Sequence, residues 1–220
     1  MKTLFILTAM FWSLLADAQD TLSYKFFEVT SGEKVVICPR PGFVSPSAVM
    51  ITNGGMFDPD YSPHGLLICD GKLYKKLDLR AAKNANFYLQ PNGVFYIDDA
   101  GYHIAASRVF AGLYPDLDNR RPHFATQSGP MLVINDSVNT VFDKASQNTN
   151  VRSGVGILPN GYPVFVIASA ITFYDFAMIF KEKFHCRQAL FLDGAISKMF
   201  IGQPCNESDF GPMIEVVKNH

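Results

Sequence analysis

The chain has 220 residues, and 19 Lys and Arg against 20 Asp and Glu leave a net charge of −1. That balance excludes a basic nucleic-acid binder and a solvated acidic tail, and a hydrophobic content of 48% excludes a disordered chain. The length suits one domain with one sizeable core, and 16 Gly and 13 Pro against 18% charged residues indicate turn-rich β structure.

Residues 1–18 carry the three parts of a secretory signal peptide. Met1-Lys2 gives the positive start, Leu4 to Leu15 the apolar run, and Ala16-Asp17-Ala18 the small-residue cleavage pattern. The run is shorter than the roughly 20 residues of a membrane-spanning helix, and no Cys follows it as a lipid-attachment point. An uncleaved anchor or a buried first strand is the competing reading. The rest, 19–220, is expected to form a single domain, secreted or periplasmic, with no stable membrane insertion after cleavage. Such a compartment permits disulfides. Of the three possible pairings, Cys38–Cys69 with Cys186–Cys205 is favoured, because each pair brackets one half of the chain; free buried thiols are equally compatible. No C-x-x-C pair points to zinc, and no metal is expected.

Turn signals divide the first part into hairpins. Tyr24–Val29 and Lys34–Ile37 flank Ser31-Gly32, Leu66–Cys69 and Lys72–Tyr74 flank Asp70-Gly71, and Asn86–Leu89 and Val94–Ile97 flank Asn92-Gly93. Ala48–Thr52 is an apolar strand running into Asn53-Gly54-Gly55. Ala105–Leu113 reads as a short helix or an irregular loop. His123–Gln127 and Met131–Ile134 are strands on either side of Ser128-Gly129-Pro130.

The last third carries most of the functional signal. Ser153–Leu158 and Pro163–Ala168 form a hairpin, and a two-residue turn at Asn160-Gly161 sets Arg152 opposite Ser169. Thr172 caps a following helix, with Asp175 three residues on, and Phe173, Phe176, Ala177, Phe180 and Phe184 form its apolar stripe. Gln188–Leu192 is a strand ending at Asp193-Gly194. The fold expected is α+β, a mixed β-sheet with many hairpins and one βαβ crossover near the C-terminus. In such a unit Arg152, Ser169, the helix N-terminus at Thr172 and Asp193-Gly194 meet at one sheet edge, where ligands bind.

That set of residues suits an anionic ligand. Arg152 is the phosphate clamp, because its planar fork donates two parallel hydrogen bonds. Asp193 serves as nucleophile or general base. Ser128, Ser169 and Ser197 are hydroxyl donors, and Asn53 orients a sugar hydroxyl or amide. Gly54, Gly55, Gly129 and Gly194 let backbone come close to a ligand. Each residue has a plainer alternative: Arg152 in a surface ion pair, Asp193 as a turn cap, Asn53-Gly54-Gly55 as only a turn. His64 and His123 are candidate catalytic residues, although a lone His near Pro or Phe is more often structural. Asp58-Pro59-Asp60-Tyr61-Ser62 lacks the Glu that a calcium loop needs. G-x-S-x-G, H-E-x-x-H, P-loop and dinucleotide signatures are absent.

Four segments in this order resemble the phosphodiester glycosidase family, in particular its exported bacterial branch. They are Thr52-Asn53-Gly54-Gly55-Met56-Phe57, Gln127-Ser128-Gly129-Pro130-Met131-Leu132-Val133, Arg152-Ser153-Gly154-Val155-Gly156 and Leu192-Asp193-Gly194-Ala195-Ile196-Ser197. Ala195 and Ile196 depart from the glycines of the family's lysosomal branch, so an N-acetylglucosamine substrate does not follow. The resemblance implies hydrolysis of a sugar-1-phosphodiester. Asp193, Arg152 and Asn53 are then the catalytic residues. Gly54, Gly55, Phe57, Ser128, Gly129, Ser169, Thr172, Gly194 and Ser197 bind a glycan or sugar-phosphate substrate, with no cofactor. A non-catalytic envelope protein that binds anionic glycans is the alternative.

Overall fold

The computed structural model describes residues 23–39, 45–82, 85–203, 205 and 210–219, so the expected signal peptide lies outside the described residues. Fifteen strands, numbered along the chain, form three sheets among these residues. The first holds, in spatial order, β1 (Tyr24–Glu28), β12 (Pro163–Ile171), β11 (Asn150–Ile157), β13 (Gln188–Asp193), β9 (Met131–Ile134) and β10 (Ser137–Val138). The second holds β14 (Met199–Ile201), β3 (Ala48–Asn53), β15 (Met213–Lys218) and β2 (Glu33–Cys38). The third holds β5 (Lys72–Lys75), β4 (Leu67–Cys69), β8 (Phe124–Ser128), β6 (Gly93–Asp98) and β7 (Gly101–Ala106). The molecule is mostly β-sheet with few helices.

Alternation along the strands builds the core. In β13, Leu190 and Leu192 face a central cluster shared by all three sheets, with Phe95, Val155, Phe165, Met50, Leu67 and Ile214. Ala189 and Phe191 point the other way, into a second cluster under α2 (Phe173–Met178) and the π-helical turn Ile179–Lys183 that continues it. The predicted phenylalanine stripe is what seals this layer, since Phe176 and Phe180 are fully buried. Gly156 makes the close approach possible: a Cβ there would stand 2.6 Å from Cys186 Sγ and 2.7 Å from Phe180 Cδ1.

Among the described residues every strand pairing is antiparallel, and the expected βαβ unit takes a different form. Strands β12 and β13 run the same way but do not pair; β11 lies between them and bonds to both. The register of β11 on β12 also differs by one residue, because Arg152 faces Ala168 rather than Ser169. The loop has three residues, Pro159, Asn160 and Gly161, with Gly161 at φ 86° and Leu158 paired to Tyr162. Such a loop adds one residue to the two-residue turn assumed from the sequence.

Other turn readings part in the same way. Asp70 (φ 48°) and Gly71 (φ 69°) do close the β4–β5 hairpin. Ser31-Gly32 instead carries the chain from the first sheet to the second, with β1 on β12 and β2 on β15. Asn86–Tyr88 is a 3₁₀ turn rather than a strand, and Gly93 opens β6, which pairs with β7 through a turn at 98–101. Residues Ser107–Leu113 are the short helix α1. All four cysteines are free thiols. The favoured disulfides do not form: Cys38 Sγ donates to buried Glu215 at 3.3 Å, and Cys186 lies under α2 while Cys205 packs in a separate cluster with Phe210.

Gly156→Ala is expected to lower the unfolding free energy by about 1–3 kcal/mol in a urea titration, through overpacking against Phe180. An unchanged midpoint would show that the π-helical turn carrying Phe180 does not press on β11.

Candidate active site

At the end of β13 the chain turns out of the sheet. Asp193 is opposite Ser153 on β11, and Ser197 N donates to Gly194 O at 2.8 Å, closing the turn. Asp193 opens on a cavity of about 490 Å³ lined also by Met56, Phe57, His64, Phe87, Tyr88 and Ile196. Its Oδ1 accepts the Gly194 N–H at 2.6 Å, yet burial prevails and raises its pKa to about 6. Gly194 is uncrowded: a Cβ there would find its nearest neighbour, Val151 O, at 3.7 Å, so ligand can reach this backbone.

Behind the turn lies a buried polar knot. Asn53 Nδ2 donates to Ser153 Oγ at 2.9 Å, and Ser153 Oγ also meets Ser197 Oγ at 2.8 Å and Asp193 N at 3.2 Å. Asn53, Ser153 and Ser197 are almost wholly buried. The structure therefore places Asn53 and Ser197 behind Asp193 rather than on the cavity wall. Ser128 is likewise buried, its Oγ donating to Leu192 O at 2.7 Å. Gly54, Gly55 and Gly129 are packing positions: Gly54 N donates to Pro212 O, and a Cβ on Gly55 or Gly129 would meet Gln127 O at 2.2 Å or Asn92 Cβ at 2.5 Å. Phe57 does line the cavity, stacked on Tyr61 with ring centroids 5.9 Å apart.

Arg152 is on the neighbouring strand but occupies a second, smaller cavity of about 200 Å³ with Leu89, Phe142, Asn148, Phe173 and Tyr174. Its Nε donates to Ile171 O at 2.8 Å and Nη2 to Asn148 O at 3.1 Å. The guanidinium lies 3.6 Å from the Phe173 ring centroid and 5.8 Å from that of Phe191. Among the described residues no carboxylate pairs with it, and burial lowers its pKa to about 10. Two of its five N–H donors are taken by carbonyls, which leaves three. Thr172 caps α2 as predicted, its Oγ1 accepting Asp175 N–H at 3.1 Å beside this cavity. The four features expected at one edge thus divide. Arg152 and the start of α2 stand together, Asp193-Gly194 borders the adjoining cavity across residues 85–89, and exposed Ser169 opens on a third cavity with Tyr24 and Phe200.

Asp58, His64 and Tyr88 line the same cavity and belong to a hydrogen-bonded chain that the sequence did not bring together. His64 Nδ1 is 2.9 Å from Asp58 Oδ1 and Nε2 is 2.8 Å from Tyr88 Oη. Arg80 Nη2 donates to Tyr88 Oη at 2.9 Å and pairs with Asp78. Buried Gln127 holds the Asp78 backbone at both its N–H and its C=O. Among the described residues no three His, Cys, Asp or Glu side chains group as a metal site, and no helix is long and apolar enough to cross a membrane.

Asp193 thus stands partly buried at a strand end on the wall of a cavity, and the comparisons with known proteins give the chain a family. The family profile described as phosphodiester glycosidase (NAGPA) matches residues 46–216. The chain belongs to the phosphodiester glycosidase family. Protein YigE of Escherichia coli (strain K12) is 39% identical over 153 residues, which is 69% of this chain and 58% of that protein. The chain thus matches a little over half the length of that relative. In structure it is similar to the zebrafish N-acetylglucosamine-1-phosphodiester alpha-N-acetylglucosaminidase catalytic domain, auto-inhibited by its pro-peptide. The TM-score is 0.59 at 13% identity, covering 93% of this chain and 85% of that one. A hypothetical protein from Synechocystis gives a TM-score of 0.58 at 12% identity, covering 89% and 59%.

Because burial raises the Asp193 pKa from 3.8 to about 6, the cost to folding is absent at low pH, grows as pH rises between those two values and is complete above about 6. Asp193→Asn is therefore expected to stabilise the protein by roughly 1–3 kcal/mol at pH 8 and by little at pH 4. Thermal unfolding at the two pH values checks this; equal effects at both would show that the Asp193 charge carries no burial penalty.

Proposed function

We propose that this chain is an exported hydrolase that cleaves the bond between a sugar's anomeric carbon and a phosphodiester oxygen. The observation that carries the reading is Asp193: a partly buried carboxylate at the wall of a cavity in a chain of this family. The substrate class is a glycan or sugar phosphate, not a nucleic acid. The export reading rests on the signal pattern of residues 1–18.

In this scheme the Asp193 carboxylate attacks the anomeric carbon as the carbon–oxygen bond breaks, and the electron pair leaves on the phosphate. A phosphate monoester is a good leaving group, so charge stabilisation matters more than protonation. Arg152 and the N-terminal turn of α2 supply positive potential at the adjoining edge, where no carboxylate of the described residues pairs with the guanidinium. The sugar stacks against Phe57 and reaches the Gly194 backbone. Asn53, Ser153, Ser197 and Ser128 hold the end of β13 in place, so their contribution is through the position of Asp193.

The test is turnover of an activated sugar-1-phosphodiester. Asp193→Asn is expected to cut kcat about a thousandfold or more with the fold intact. In the wild type kcat/KM is expected to fall as pH drops through about 6, because the protonated carboxyl cannot attack. Full turnover by Asp193→Asn would remove the assignment. Sugar-phosphate binding without any turnover by the wild type would favour the non-catalytic glycan binder.

A further inference from the structure

With His64 neutral, the chain Asp58–His64–Tyr88–Arg80 has a polarity that its hydrogen-bond chemistry fixes. Arg80 can only donate, so Tyr88 Oη accepts from its Nη2 at 2.9 Å. The Asp58 carboxylate can only accept, so His64 Nδ1 carries the proton across the 2.9 Å bond. In a neutral imidazole Nε2 is then the acceptor, and the remaining donor in reach is the Tyr88 hydroxyl at 2.8 Å. The order of donation is Arg80 to Tyr88 to His64 to Asp58. The geometry is well supported: the His64 ring meets Phe87 edge-on at 4.6 Å, and Gln127 grips the backbone of Asp78, which pairs with Arg80. Tyr88 and His64 line the same cavity as Asp193.

We propose that this chain is a proton relay that activates the hydrolytic water opposite Asp193. The proposal rests on the function put forward above. Once Asp193 holds the sugar, a water oxygen bonds to the anomeric carbon and the carbon–Asp193 bond breaks, returning the carboxylate. The proton that water sheds passes to Tyr88 Oη as the Tyr88 proton moves to His64 Nε2. The imidazolium so formed is held by Asp58, and it releases its proton to solvent as the sugar leaves. Tyr88 is the group in contact with water, and His64 and Asp58 act through it.

Two measurements test this together. In ¹⁵N-histidine spectra of the full-length mature protein under alkaline conditions, His64 should show the Nδ1–H tautomer, and Tyr88→Phe should shift Nε2. An Nε2–H tautomer overturns the polarity and the relay with it. With the activated sugar-1-phosphodiester, Tyr88→Phe and His64→Ala should each lower kcat about a hundredfold, with KM within about threefold. The double variant should be no worse than either single one, as for residues acting as a unit. Added imidazole should restore part of the His64→Ala loss, which a packing defect would not allow. Wild-type kcat in a folded Tyr88→Phe, with an unchanged solvent isotope effect, would overturn the relay while leaving Asp193 in place. A wild type that turns over no sugar phosphodiester overturns the hydrolase reading and the relay alike.

Discussion

The site depends on one buried hydroxyl. Ser153 Oγ sits in the gap between the first and second sheets and collects bonds from Asn53 on β3, from the backbone at Asp193 and from Ser197 on the turn beyond. A hydroxyl offers one donor and two acceptors, so these neighbours exhaust it. In a low-dielectric interior such a set of bonds specifies one arrangement, because any slip leaves a buried polar atom unpaired. Three separate chain segments thereby fix where β13 stops and where the Asp193 carboxylate emerges. The family's segments are spread along the sequence because the hydroxyl gathers them in space.

The polar groups in and near the cavity fall into two kinds. Asp58, His64 and Tyr88 on the cavity wall, with Arg80 and Asp78 beyond it, are bonded at each link, which keeps their geometry rigid at little electrostatic cost. Asp193 and Arg152 are the opposite case. Both are displaced from their ordinary pKa values by burial, and neither has an opposite charge beside it among the described residues. Burying charge without a partner costs stability, and proteins accept that cost chiefly where a ligand or a reaction uses the charge. Arg152 recovers part of the cost from two backbone carbonyls and the face of Phe173.

Local chemistry is legible in the sequence and long-range pairing is not. Asp70-Gly71 announces its hairpin because both residues tolerate positive φ, and the phenylalanine spacing announces α2 because burial of one face repeats every three to four residues. Asp193 is legible as a polar residue at the end of an apolar strand before glycine. Ser31-Gly32 misleads because a turn does not say which sheet its strands join. The single extra residue in the loop before Tyr162 shifts the whole β11–β12 register, which moves Ser169 away from Arg152. The roles of the glycines are hidden for a similar reason: Gly55 and Gly129 answer to Gln127 and Asn92, residues distant in sequence. His64 reads as structural because its partners, Asp58 and Tyr88, are set around it by the fold and form no spacing motif.

The central claim is that Asp193 meets the anomeric carbon of a sugar phosphodiester. A crystal structure of Asp193→Asn with an uncleaved sugar-1-phosphodiester bound tests it most directly. The account predicts the anomeric carbon about 3–3.5 Å from the substituted side-chain amide, the reach of a near-attack geometry, with the phosphate toward Arg152 and α2. A ligand seated instead in the Ser169 cavity, or with its phosphate turned away from residues 85–89, would contradict it.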